Sequence, residues 1–158
     1  MNRDIVTALA VCIVGALLEG LCAGSGVKKY LGELRWPSFS PPLWAWYTIG
    51  VVYYVVVFIC AYRVLRRPAT EPFRNAALTL LVGVVVLNAV WNVLFFRAKN
   101  LKATFVFSLI YSIVVIACWY CLFQFDHLAA FVFGFYVIYL VYANVWGYRV
   151  WRLNSSAG

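Results

Sequence analysis

Five stretches of this chain are filled with apolar residues from end to end, and the polar residues collect in the gaps between them. The stretches are 5–23, 42–62, 76–96, 103–125 and 128–150, each near the roughly 20 residues that cross a bilayer core of about 30 Å. Their apolar residues run all the way round the helical wheel, as in helices surrounded by lipid and by one another. They do not alternate with period two, which excludes the strands of an outer-membrane barrel. The pattern predicts an all-α integral membrane protein, a five-transmembrane-helix bundle, with residues 1–158 forming a single domain. All the connections but the first are short, as in one compact bundle.

Composition agrees with the pattern. Of 158 residues 66% are hydrophobic and 11% charged, with a mean hydropathy of +0.89, whereas soluble domains carry about a quarter charged residues. The net charge of +8 does not indicate a nucleic-acid partner, because the Lys and Arg lie at the ends of the apolar runs, where lipid headgroups and topology explain them. Five spans put the termini on opposite sides. Arg3, Arg63, Arg66, Arg67 and Arg74 then share one side, and Lys28, Lys29, Arg35, Arg97, Lys99, Lys102, Arg149 and Arg152 share the other. The excess on the second side predicts a cytoplasmic C-terminus. Glu19 and the lack of a small-x-small cleavage site speak against reading the first run as a cleaved signal peptide.

Between the first two runs lies Leu34-Arg35-Trp36-Pro37-Ser38-Phe39-Ser40-Pro41-Pro42-Leu43-Trp44, which holds three of the five prolines. Proline fixes φ and removes a donor, so no helix runs through it. Pro41 and Pro42 are expected in the first turn of the second helix. The five cysteines all fall in or beside apolar runs and do not describe a disulfide framework. Cys118-x-x-Cys121 lies inside a span with the single histidine, His127, outside it, so these read as small buried residues and predict no metal site.

Polar groups within the spans carry the chemistry, since each is costly in hydrocarbon unless it meets a partner or a cavity. Asn88, Trp91, Asn92 and Phe95 fall at helical spacing on one face of the third span. Tyr136, Tyr139, Ala143 and Trp146 make a similar stripe on the fifth, with Asn144 beside it. Amides also serve as interhelical glue and aromatic stripes as packing. Together with the aromatic loop, the two faces would enclose a large planar apolar ligand with few hydrogen bonds. Glu19 is the lone acid at depth, a proton or cation site unless its span is shifted so that it sits at the interface.

The loop residues Leu34, Pro37, Ser38, Phe39, Pro41, Pro42 and Trp44 resemble the signature of the TspO/MBR family, the tryptophan-rich sensory proteins and the translocator protein. Leu87-Asn88-x-x-Trp91-x-x-x-Phe95-Phe96 is similar to the family's third-helix motif, and Ala98, Lys99, Leu101 and Ala103 to its basic connector. Tyr136, Ala143, Tyr148, Val150, Trp151, Arg152 and Asn154 fall where its C-terminal elements lie. The resemblance runs from Leu34 onward; the first span matches only in position and hydrophobicity.

What the resemblance implies is a multi-pass protein of a bacterial envelope or mitochondrial outer membrane, commonly a homodimer. It would act as a receptor or sensor for a porphyrin or sterol, bound beneath the first loop, with no cofactor required. The residues expected at that site are Trp36, Phe39, Pro42 and Trp44 of the loop; Tyr47, Gly50 and Tyr54 of the second helix; Asn88, Trp91, Asn92 and Phe95 of the third; and Tyr136, Tyr139 and Ala143 of the fifth. Val145, Tyr148 and Arg152 match a loose sterol-contact pattern, although interface anchoring explains them equally. The chain departs from the family at Gly50 and Tyr139, where tryptophans are usual, at Phe135 before Tyr136, and at Gly147. Because the two missing indoles are associated with porphyrin degradation, binding without catalysis is expected. A permease, with Glu19 as its ion site, and a porphyrin-degrading enzyme are the alternatives.

Overall fold

The computed structural model describes residues 3–155. Its helices are α1 Arg3–Ala23, α2 Val27–Glu33, α3 Leu43–Leu65, α4 Arg74–Asn92, α5 Leu101–Phe125 and α6 His127–Ser155. There is no strand among the described residues. All but α2 are long and apolar enough to cross a membrane, so the five expected spans are present.

Their limits differ from the hydropathy edges for local reasons. α5 begins at Leu101 because Asn100 Oδ1 accepts the Ala103 N–H at 3.0 Å, and α6 at His127 because Asp126 Oδ1 accepts the Ala129 N–H at 2.9 Å. Each side chain satisfies a backbone donor that a helix start leaves unpaired. Pro42 is the N-cap of α3, in extended conformation, and the first turn starts at Leu43. The expectation that both Pro41 and Pro42 lie within that turn is therefore corrected. α4 ends in a π-helical turn, Val93–Arg97, closed by an Ala98 N–H to Val93 O bond of 2.9 Å.

The first connection also holds a short helix that precedes the proline-rich stretch. Gly24, at φ +75°, ends α1 in the left-handed region that glycine adopts without strain, and α2 follows. Tyr30 of α2 is buried, with its ring 5.6 Å from that of Phe95, and the Lys99 ammonium lies 4.9 Å from the Tyr30 ring. The Arg97 guanidinium donates to the Leu21 carbonyl.

The five long helices form a closed ring in which neighbours run α1, α3, α6, α5, α4 and back to α1, with α3 and α4 touching across it. Small residues permit the close approaches, as is usual where helices meet in lipid. At Gly15 a β-carbon would stand 2.5 Å from Val85 Cγ1. One half of the ring is sealed by aliphatic and aromatic side chains, Val57, Val64, Leu81, Val84, Val115, Leu122 and Phe133 among them. At the loop end the packing is mainly aromatic, around Tyr30, Phe95 and Trp146 with Trp36, Trp46, Trp91 and Phe96, and with Val150, Leu31, Leu34 and Leu101 between them. Large flat side chains leave gaps that aliphatic ones fill, and the cleft lies in this half. Four of the five cysteines are buried, and all five are free.

Candidate functional site

Beneath the proline-rich loop, the ring encloses a cleft with two lobes. The larger, about 250 Å³, lies among α1, α3, α4 and the loop and is lined by Glu19, Leu31, Trp36, Trp46, Ile49, Gly50, Tyr53, Asn88, Trp91, Asn92, Phe96, Tyr136 and Tyr139. The smaller, about 110 Å³, extends toward α5 and α6, adding Phe95, Leu101, Thr104, Phe105, Ser108, Tyr111, Leu140, Ala143, Asn144, Trp146 and Gly147. Trp46, Asn88, Trp91, Tyr136 and Tyr139 belong to both. These five side chains therefore stand between the lobes.

Trp91 is held in place at that division. Its indole N–H donates to Ser108 Oγ at 3.0 Å, the Ser108 hydroxyl donates to Thr104 O at 2.9 Å, and the ring stacks on Phe95 at 4.8 Å and 12°. A hydrogen bond at the ring edge and a stacked neighbour together fix its plane. Asn92 Nδ2 donates to Asn88 O at 3.0 Å. The Tyr111 and Tyr136 hydroxyls share a 2.6 Å hydrogen bond at the cleft floor, and Asn144 Nδ2 donates to Ser112 Oγ at 2.8 Å.

The loop is the roof, and α6 holds it. Trp146 Nε1 donates to Ser40 Oγ at 3.0 Å, and the Tyr142 hydroxyl to Phe39 O at 3.2 Å. Trp36 Nε1 donates to Leu31 O at 2.8 Å. Trp146 lies 5.7 Å from Trp36 and 4.8 Å from Trp46. Three indoles thus converge where the loop meets α3 and α6.

Several residues expected at the site are assembled there: Trp36, Gly50, Asn88, Trp91, Asn92, Phe95, Tyr136, Tyr139 and Ala143 line one lobe or both. Others are not. Trp44 is 69% exposed and Tyr47 70%, both on the outer side of α3. Tyr47 borders an external groove that Trp36 and Trp46 separate from the cleft. Phe39 is exposed and packs edge-on against Tyr142. Pro42 caps α3, and Tyr54 lies against α1 near Gly15. Val145, Tyr148 and Arg152 share an exposed face of α6, with Tyr148 5.5 Å from Phe105.

Sequence reading missed Trp46, which borders both lobes, and the polar row Thr104, Ser108, Tyr111 and Ser112 on α5. The row has helical spacing and was open to detection. For Trp46 the chain offers two tryptophans two positions apart, and only the phase of α3 decides which faces inward.

At the opposite end, Asp126 is 1% exposed and pairs with Arg63 at 2.9 Å and Arg67 at 3.1 Å. Burial raises its carboxyl pKa, but the bonds from Arg63, the Ala129 N–H and Arg67 outweigh that and hold it below the usual range. No group of His, Cys, Asp and Glu able to hold a metal occurs among the described residues.

The TspO/MBR family model matches residues 8–152. The chain belongs to the TspO/MBR family. Protein CrtK of Rhodobacter capsulatus is 26% identical over 140 residues, which cover 85% of this chain and 88% of the relative. The match begins at residue 8 and so takes in α1. As a TspO/MBR protein the chain is an integral, multi-pass membrane protein in a family of sensory and binding proteins.

Proposed function

We propose that this TspO/MBR protein is a membrane receptor for a flat hydrophobic ligand of the tetrapyrrole class, bound in the two-lobed cleft under the loop. The observation that carries the reading is Trp91: an indole hydrogen-bonded to Ser108 and stacked on Phe95 between two lobes, with Trp46, Tyr136 and Tyr139 lining both as well. Flat walls with few polar groups suit a planar apolar body, and a pre-set ring adds little ordering cost on binding. The two lobes together sit near the lower end of the volumes usual for ligand pockets, about 300–1,000 Å³. A large macrocycle therefore requires the roof to lift, and the hydrogen bonds from α6 set how readily it does.

Gly50 supports binding without degradation. A β-carbon there would meet nothing within 4 Å, so the lobe lacks an indole at this edge and has room for the ligand's. We further propose a homodimer with a cytoplasmic C-terminus, the side that holds the larger share of Lys and Arg. The test is a titration of purified protein in nonionic detergent with protoporphyrin, read by tryptophan quenching. Saturable quenching that weakens in Trp91→Ala is expected, and quenching no different from empty micelles or free tryptophan would overturn the reading.

A further inference from the structure

We infer that Glu19 makes the larger lobe a site for an organic cation: a flat aromatic body with a protonated nitrogen at its edge, the nitrogen placed against the Glu19 carboxylate. The inference rests on the cleft being a ligand site, and it narrows the flat hydrophobe proposed above by charge.

Glu19 lines the lobe one turn before the end of α1. Tyr54 of α3 and Asn88 of α4 face it, yet Oε1 is shut off from the surface and makes no hydrogen bond. The lobe's lining contains no Lys, Arg or His. The Arg97 guanidinium, at the same end of α1, donates to the Leu21 carbonyl. A partly buried carboxylate without a counter-charge in its cavity is costly, more so at membrane depth.

Two further groups point the same way. Tyr53 is only 6% exposed, and its hydroxyl, on the same lobe, has no hydrogen-bond partner; Trp46 Nε1 is buried and unpartnered too. Buried polar atoms are almost always satisfied, so three orphans around one cavity mark the place of something that satisfies them. Trp36, Trp91, Phe96, Tyr136 and Tyr139 also line the lobe, beside the amides of Asn88 and Asn92 and the aliphatic Leu31 and Ile49. Aromatic faces attract cations through the ring quadrupole, and a desolvated site strengthens that attraction. A carboxylate among indole and phenol faces is therefore chemistry for a cation, while an anionic group in the same place meets a like charge and negative ring faces.

Three tricyclic probes of one shape test this on purified full-length protein in nonionic detergent, at a pH where their charges differ: 9-aminoacridine as cation, acridine as neutral body and acridine-9-carboxylate as anion. Protoporphyrin is titrated in parallel. The expected result is a cation bound at least about ten-fold more tightly than the anion, the margin one such interaction supplies. In Glu19→Gln that margin collapses while neutral acridine binds within about two-fold of wild type. A wild type that binds protoporphyrin but does not rank the three probes by charge overturns the Glu19 assignment and leaves the cleft standing. Preference for the cation surviving in Glu19→Gln overturns it as well. Failure of all four probes to bind overturns both readings. The wild-type ranking decides the matter even where the variant does not fold.

Discussion

Arg35 and Asn154 exchange two hydrogen bonds, the Arg35 N–H donating to Asn154 Oδ1 and Asn154 Nδ2 to the Arg35 carbonyl, each at 3.0 Å. An amide side chain near the end of α6 thus pairs with the loop backbone as a neighbouring strand would. With the Trp146–Ser40 and Tyr142–Phe39 bonds it ties the roof of the cleft to α6 at three heights.

Asn154→Ala is expected to raise the ligand dissociation rate and to lower stability by about 1–2 kcal/mol, since it removes the two partly exposed bonds to Arg35 together with the one to the Val150 carbonyl. Stopped-flow displacement of protoporphyrin and a thermal scan in detergent check this. Replacing Pro41 and Pro42 by Ala should act in the same direction by loosening the roof. Unchanged dissociation alongside lower stability in both variants would make the loop a brace that ligand exchange does not open.

Trp91→Ala should weaken protoporphyrin affinity by about 1–3 kcal/mol, the range for removing a buried aromatic anchor. Ser108→Ala, which removes the acceptor of the indole N–H and the donor to Thr104 O but leaves the ring in place, should cost less. Quenching titrations of the two variants check the order.

Trp44 and Trp46 should separate cleanly. Trp46→Ala removes a wall common to both lobes and should reduce affinity at least as much as a typical pocket contact, about 1 kcal/mol. Trp44→Ala, on the outer face, should leave it within error. Equal losses in the two would place the ligand on the outside of α3.

Asp126 is expected to contribute to stability toward acid. Its folded-state pKa lies below the unfolded value of about 4, so its contribution is present above that value and is lost as pH falls through the folded pKa. Thermal midpoints of the wild type should therefore drop below about pH 4. Asp126→Asn keeps a good N-cap but loses the charge and should flatten that dependence, while Asp126→Ala should lose in addition about 1 kcal/mol for the cap.

Illuminated with protoporphyrin, the purified protein should leave the pigment's absorbance no different from a detergent control. Gly50→Trp combined with Tyr139→Trp should introduce turnover, because an indole at each position can donate an electron without the proton loss a buried phenol requires. Position 50 has room to test it, as a β-carbon there meets nothing within 4 Å. Light-dependent product from the unmodified protein would reverse the expectation.

Class, span number and the chemistry of two helix faces were legible in the sequence because they are local. Twenty apolar residues cannot be satisfied in water, prolines end helices wherever they stand, and Asn88, Trp91 and Phe95 share a face by spacing alone. What the sequence could not decide was rotation. Trp44 and Trp46 are chemically equal, and hydropathy gives a helix apolar all round no preferred phase. α3 packs on α1 and α6 and buries Tyr53, Val56, Val57 and Cys60, and in that phase Trp46 borders the cleft while Trp44 is exposed. Helix α2 escaped for a similar reason: seven residues are too few to be helical on propensity, and Tyr30 is held by Phe95 from α4. Glu19 shows the limit most clearly, since its position in the chain allowed an interface as well as a cavity. Only the closing of the ring put α3 and α4 around it, and so left a carboxylate facing aromatic walls with no cation of its own.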